Sequence, residues 1–104
     1  MKRTLLAIAS VAAGFAVSAP AMADLALATS KNCMACHAID KKVVGPAYQD
    51  VAKKYAGNAK AADMLAAKVI KGGAGVWGPV PMPANAQVNE AEAKKLVAWV
   101  LSLK

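Results

Sequence analysis

The stretch CMACHA, residues 33 to 38, holds both cysteines and the single histidine of a 104-residue chain. Two cysteines separated by two residues can form a disulfide, a thiol redox centre, half of a metal site, or the two attachment points of a haem. Each of these uses implies a different fold around the motif. The rest of the chain therefore decides among them.

The first 23 residues have the pattern of a secretory signal peptide. Lys2 and Arg3 give a positive start, residues 5 to 17 form an apolar run, and Ala21-Met22-Ala23 matches the small-x-small pattern of a cleavage site. The run is shorter than the roughly 20 apolar residues that span a bilayer. We therefore expect cleavage after Ala23, export to the periplasm without stable membrane insertion, and one mature domain of residues 24 to 104.

The mature domain is small and basic. Removing Lys2 and Arg3 from the 13 basic side chains leaves 11 against six acidic ones, a formal charge of +5. A domain of this size has a thin core and commonly depends on a disulfide, metal or cofactor. Its lysines are spread along the chain and it contains no arginine, which argues against nucleic-acid binding. We expect a monomer that is steered toward an acidic partner protein.

The spacing of apolar residues predicts an all-α fold of about four helices. No stretch alternates apolar and polar residues as a strand would. In the last helix apolar residues recur at i, i+3, i+4, i+7 and i+8 from Ala93 to Leu101, and Asn89 with Glu92 forms a capping box before them. Further helices are predicted over residues 25 to 33, 48 to 55 and about 60 to 71.

A loop rich in glycine and proline, residues 72 to 88, separates the last two predicted helices. So long a connection in so small a domain is usually functional or disordered. Within it Met82 lies between Pro81 and Pro83, which restrict the backbone on both sides. This arrangement is typical of a ligand held in place and not of a linker.

Three of the four uses of the motif fit poorly. Zinc needs four ligands, and the motif offers two thiolates and one imidazole. A thioredoxin-like centre needs a βαβ unit and a helix N-terminus to lower the thiol pKa, and no strand is predicted. A disulfide across two residues is chemically possible in an exported protein, but it closes a very small loop and stabilises little.

Haem attachment uses every residue of the motif. The thiols of Cys33 and Cys36 add to the two vinyl groups as thioethers, and His37 reaches the iron as an axial ligand. The covalent cofactor also supplies the stabilising element that the small core lacks. We expect one haem c, with its iron, per chain.

The sixth position of the iron has several candidates: Met34, Met64, Met82, a lysine, water, or nothing. Met34 is too close to the attachment site in sequence to reach the other face of the haem, and Met64 belongs to a predicted helix. Met82 is far enough along the chain from His37 and lies in the proline-framed loop. It is therefore predicted as the second metal ligand.

The chain resembles the small class I cytochromes c of bacteria, the cytochrome c-551 or c-552 group. The resemblance covers essentially the whole mature chain. It rests on residues 32 to 57 (NCMACHAIDKKVVGPAYQDVAKKYAG), 72 to 86 (GGAGVWGPVPMPANA) and 90 to 104 (EAEAKKLVAWVLSLK). It implies the class I cytochrome c fold, in which about four helices surround one covalently bound haem.

The resemblance also implies roles for four residues around the haem. The carbonyl of Pro46 would accept the spare N–H of the histidine ligand, which orients the ring and raises its basicity. Trp77 and Lys68 would be partners of a buried haem propionate. Asn85 would form a hydrogen bond on the side of the sixth ligand, in a segment that reads MPAN where the family commonly reads MPPN.

An iron with both axial positions filled has no open site for a substrate, so the predicted function is electron transfer and not catalysis. The partners would be respiratory redox proteins, such as a periplasmic reductase, an oxidase or a membrane cytochrome complex, acidic where they dock. Docking would be brief and would use exposed apolar residues ringed by lysines: Val43, Val44, Val80 and Pro81.

One alternative function is a haem enzyme or gas sensor with a displaceable sixth ligand, although the sequence offers no distal histidine or arginine to support it. Another is a docking subunit of a larger haem enzyme.

Overall fold

The computed structural model describes residues 19 to 103, and their side chains from residue 24 onward, so most of the predicted signal peptide lies outside the described residues. Four α-helices and one 3-10 helix occur in this range. They are α1 (Ala19–Ser30), the 3-10 helix (Cys33–Ala35), α2 (Tyr48–Lys54), α3 (Ala61–Lys71) and α4 (Glu90–Ser102). The described part of the chain contains isolated β-bridges but no strand. The all-α prediction is confirmed.

The first helix differs most from its predicted bounds of residues 25 to 33. It ends at Ser30, because the chain turns at Asn32, whose φ of 68° lies in the left-handed region that asparagine tolerates better than most residues. The cysteines therefore belong to a separate short turn and not to the end of α1. At its other end α1 begins at Ala19, before the predicted cleavage position. Within residues 19 to 103, no helix combines the length and apolarity needed to span a bilayer.

The core is built on α4. Among the described helices, α4 packs on each of the other three, whereas α2 and α3 do not pack on each other. Tyr48, Leu96 and Trp99 are the largest buried side chains, and most other buried positions are alanine or valine. Leu65 and Val69 of α3 are only half-buried and line an open crevice. The core is therefore thin, as the length of the domain predicts.

The predicted capping box at the start of α4 is present. Asn89 Oδ1 accepts the Glu92 backbone N–H at 2.8 Å, and Glu92 Oε1 accepts the Asn89 backbone N–H at 3.1 Å. The Lys31 ammonium at the end of α1 lies 3.3 Å from Glu92 Oε2. The bond from the Asn89 N–H and the nearby ammonium lower the pKa of the Glu92 carboxyl. This group of residues connects α1 to the start of α4.

Asn89→Ala is expected to lower the free energy of unfolding by about 1 kcal/mol, because it removes the acceptor for the Glu92 N–H. Urea unfolding of the holoprotein at neutral pH measures the change. Asn89→Asp, which retains a capping oxygen, is the control and should stay close to the parent. The contribution of Glu92 to the free energy of unfolding should be present above the ordinary carboxyl pKa. It should be lost as pH falls through the lowered pKa that Glu92 has in the folded protein. Equal stability of the alanine variant and the parent would contradict this account of the helix start.

Candidate haem site

A largely apolar crevice opens between α2 and α3. Its wall is formed by residues of α2, α3 and α4, by the segment that carries the cysteines, and by the loop of residues 72 to 88. Seven of the eight predicted site residues line it: Cys33, Cys36, His37, Pro46, Lys68, Trp77 and Met82. Asn85 is not among the lining residues. The fold thus brings together residues that are up to 49 positions apart in the sequence, from Cys33 to Met82.

The 3-10 helix places the two thiols and the imidazole on one tight turn. The backbone N–H groups of Cys36 and His37 both donate to the carbonyl of Cys33, at 3.2 and 3.1 Å. Both cysteines are half-buried free thiols. Burial raises the pKa of the Cys33 thiol. The turn therefore presents two adjacent thiols and a histidine to the same crevice.

The ring of His37 is held by its surroundings on several sides. Its Nδ1–H donates to the Pro46 carbonyl at 2.8 Å, which leaves Nε2 as the nitrogen available to a metal. The ring also stacks on Tyr48, with centroids 4.8 Å apart and planes inclined by 21°. A Cβ at Gly45 would lie 2.6 Å from His37 Cε1, so only glycine allows this close approach. These contacts orient the imidazole before any ligand binds.

Tyr48 and Gly45 were not predicted as site residues. Tyr48 is buried and makes an edge-to-face contact with Trp99, with centroids 5.6 Å apart. Burial raises the pKa of Tyr48 far above its ordinary value, so its hydroxyl stays protonated. The Gly45-Pro46 pair signals a turn before α2. Nothing in the sequence indicates that His37 packs against that turn, because the contact depends on the tertiary fold.

Met82 is positioned through its backbone. Its N–H donates to the Gly73 carbonyl at 2.8 Å, and its carbonyl accepts the Gly73 N–H at 3.0 Å. This pair folds the loop back onto the C-terminal end of α3, and the half-buried Met82 lines the crevice. Gly73 was predicted only as part of the loop of residues 72 to 88. Its pairing with Met82 is a further role that the sequence did not indicate.

Asn85 fastens the same loop to α3. Its side-chain amide donates to the carbonyl of Val69 at 2.8 Å and to that of Pro83 at 3.3 Å, and its backbone N–H donates to Val69 and Ile70. None of the hydrogen bonds found for Asn85 in the described residues involves Met82. Its contacts stabilise the loop that carries the methionine.

Lys68 and Trp77 lie on the wall formed by α3 and the loop. Lys68, in the last turn of α3, is half-buried, and its side chain passes 3.6 Å from the position of a Cβ at Gly73. Trp77 retains 42% of its accessible surface, which leaves much of its indole uncovered. Both residues line the crevice, and their role as partners of a haem propionate stays a prediction.

The donor set of the crevice fits a covalently bound haem. Two thiols on one turn match two vinyl groups, the imidazole has Nε2 available, a thioether comes from a separate chain segment, and apolar side chains can bury a porphyrin. A protein-only metal centre fits less well. Across the described residues, no group of three or more histidine, cysteine and acidic side chains could hold a metal ion.

Comparisons with known proteins agree with this site. A family model described as "Cytochrome c" matches residues 25–104. The chain is 48% identical over 101 residues to cytochrome c-552 of Nitrosomonas europaea. This alignment covers 97% of this chain and 93% of the relative. It is 54% identical over 87 residues to cytochrome c-551 of Allochromatium vinosum, in an alignment that covers 84% of this chain and 93% of the relative. The crystal structure of wild-type N. europaea cytochrome c552 superimposes with a TM-score of 0.75 at 51% identity, and covers 77% of this chain and 99% of that one.

Proposed function

The chain belongs to the cytochrome c family, and we propose that it shuttles single electrons between respiratory redox proteins in the periplasm, with His37 and Met82 as axial ligands. The class I cytochrome c fold, the covalent haem c and a general role as an electron carrier with redox partners follow from family membership. The ligands, the compartment and the partner class are the proposal.

The observation that carries the proposal is the convergence of His37 and Met82 on one crevice, each fixed by a separate backbone contact. When bound, the haem iron stores one electron by changing between its ferric and ferrous states. An imidazole nitrogen and a thioether from the chain itself would occupy both axial positions. No position would then remain for a substrate, which favours a carrier over an enzyme.

The residues around the crevice would tune the reduction potential. A neutral thioether from Met82 donates weakly, and the apolar lining disfavours the additional charge of the oxidised state. Both effects favour the reduced form and raise the potential. The bond from His37 Nδ1–H to the Pro46 carbonyl acts in the opposite direction, because it raises the basicity of the imidazole.

Visible spectra of the purified holoprotein in both redox states test the proposed ligands. We expect sharp bands in the reduced form and a weak red band in the oxidised form, which is the signature of sulfur ligation. An oxidised spectrum without that band, together with ready binding of external ligands by the parent protein, would contradict the assignment of Met82.

Export is part of the proposal and rests on the sequence of residues 1 to 23. Cleavage after Ala23 would leave Asp24 as the first residue, and Asp24 lies 3.7 Å from the Lys95 ammonium of α4. The shortened α1 would therefore keep an ionic contact with α4. The intact mass of the exported protein should equal residues 24 to 104 plus one haem.

An exposed apolar surface beside the crevice is proposed as the docking surface. Val43, Val44 and Val80 retain 48%, 50% and 61% of their accessible surface, and Val44 and Val80 also line the crevice. Lys41 and Lys42 directly precede the two valines and are exposed. An apolar surface next to positively charged lysines suits brief association with an acidic partner.

Electron transfer to an acidic partner is expected to slow about ten-fold or more as salt is raised from low to physiological concentration, because screening removes the electrostatic steering. Stopped-flow rates across ionic strength measure this. Lys42→Gln, at the crevice, should reduce both the rate and its salt dependence. Lys94→Gln, on the exposed face of α4 and 4.0 Å from Glu90, is the matched control and should behave like the parent. Rates that do not vary with salt would eliminate the steering argument.

A further inference from the structure

The ammonium of Lys54 contacts aromatic rings on both sides of the crevice. Its Nζ lies 5.7 Å from the ring centroid of Tyr55 and 5.7 Å from that of Trp77. Both distances are within the roughly 6 Å at which a cation is attracted to an aromatic face. Lys54 is the last residue of α2 and Tyr55 follows it directly, whereas Trp77 belongs to the loop after α3. The contact therefore joins the end of α2 to that loop.

This contact crosses a gap that the helices leave open. In the described part of the chain α2 and α3 both pack on α4 but not on each other. The loop is attached to α3 through the Gly73–Met82 pair and through Asn85, and these residues lie three or more positions along the chain from the Val76-Trp77 tip. Those attachments hold the base of the loop. They do not hold the tip against α2.

The Gly75 N–H donates to the Gly78 carbonyl at 3.1 Å and closes the turn of the tip itself, but no described backbone hydrogen bond joins the tip to the rest of the chain. Gly75 and Gly78 flank it with φ values of 94° and 119°, and a Cβ at either glycine would meet no atom within 4 Å. Trp77 and Val76 retain 42% and 43% of their accessible surface. A short segment between two unpacked glycines needs a contact to fix its position, and the Lys54 ammonium provides one.

We propose that Lys54 is a positioning residue for Trp77. By binding the faces of Trp77 and Tyr55, its ammonium holds the loop tip against the end of α2 and limits the entry of water at this edge of the crevice. The inference deepens the proposed function and rests on it, because the crevice is the proposed haem site. Lys54 would then raise the reduction potential through Trp77 and without contact with the haem, since water in the crevice favours the oxidised state.

Amide hydrogen exchange of the holoprotein tests the contact directly. Lys54→Gln is expected to speed amide exchange in the tip, residues 75 to 78, about two- to five-fold, because that is the effect expected from losing an exposed cation–aromatic contact. Lys53→Gln is the matched control. Lys53 is the exposed neighbour on α2, and its replacement removes the same charge without a described contact to either ring. Lys54→Arg keeps a positive charge over the rings, as a planar guanidinium that can stack on them, and exchange should stay as slow as in the parent.

The reduction potential gives a second measurement on the same variants. Lys54→Gln should have a lower potential than Lys53→Gln, because the two changes in charge are equal and only the first releases Trp77. In a Trp77→Leu background, Lys54→Gln should no longer speed exchange in the loop. Equal exchange in the two glutamine variants, or continued acceleration in the Trp77→Leu background, would overturn the proposal.

These outcomes remain separate from a failure of the proposed function. If the parent protein lacked the spectrum of sulfur ligation, the assignment of Met82 would be wrong, but a difference in exchange between Lys54→Gln and Lys53→Gln would still establish the positioning contact. If the spectrum were as expected and the two variants exchanged alike, only the role of Lys54 would be lost.

Discussion

Met82→Ala in the holoprotein is expected to lower the reduction potential by on the order of hundreds of millivolts, since the identity of the axial ligands moves haem potentials over about 0.8 V. The thioether donates weakly to the iron, and its replacement by water or hydroxide favours the oxidised state. The freed position should also bind external ligands such as imidazole or cyanide. Redox titration and ligand-binding spectra measure the two effects.

The variant should still fold, because the fold holds residue 82 through its backbone. The pair of hydrogen bonds between Gly73 and Met82 involves only main-chain atoms and remains possible with alanine. Asn85 keeps its bonds to α3. The expected change is therefore confined to the iron and its ligands and does not require loss of the loop.

Met64→Ala is the matched control for this prediction. Met64 lies on α3, retains 39% of its accessible surface and is not among the residues that line the crevice. The same chemical change at this position should leave the potential and the ligand reactivity close to those of the parent. If Met82→Ala matched the parent on both measurements, the axial assignment would be wrong, and an iron with a displaceable sixth ligand would become the better description.

Local signals account for most of what the sequence predicted correctly. The capping box of Asn89 and Glu92 and the apolar stripe after it depend on residues three and four positions apart, and the structure contains both. The motif from Cys33 to His37 is also local. Where a single residue with an unusual backbone conformation decided the outcome, as Asn32 does at the end of α1, the predicted helix boundary was wrong by three residues.

Contacts between distant segments could not be predicted in the same way. The collision that a side chain at Gly45 would cause with His37 appears only when the turn before α2 folds over the motif. The stacking of Tyr48 on His37 and the approach of Lys54 to Trp77 likewise depend on tertiary structure. The spacing within a helix or a motif contains no information about these pairs. They nevertheless determine how rigidly the predicted residues are held.

Replacement of both Cys33 and Cys36 by alanine is expected to abolish covalent haem attachment and, with it, cooperative folding of the domain. The reason lies in the packing. Among the described helices α2 and α3 do not contact each other, and the apolar side chains of Leu65 and Val69 face the crevice that separates them. Without the haem, these side chains would be exposed to water and the two helices would be joined only through α4.

The remaining core cannot compensate for this loss. Within the described residues no large side chain is fully buried, and alanine supplies six of the thirteen buried apolar positions. Domains of this size bury too small a fraction of their surface to tolerate the loss of a central group. We therefore expect the double variant to have much less helix by circular dichroism and no sharp thermal transition, and to carry no haem after denaturing electrophoresis.

Met34→Leu is the control within the same turn, because Met34 packs against the core from between the two cysteines and the exchange nearly conserves volume. This variant should retain its haem and lose less than about 1.5 kcal/mol of stability. The two results together separate a requirement for the thiols from a general sensitivity of the 3-10 helix. A haem-free double variant that kept the helix content and the sharp transition of the holoprotein would show that the polypeptide core is sufficient. Folding would then not depend on the cofactor, and α2, α3 and the loop would assemble without it.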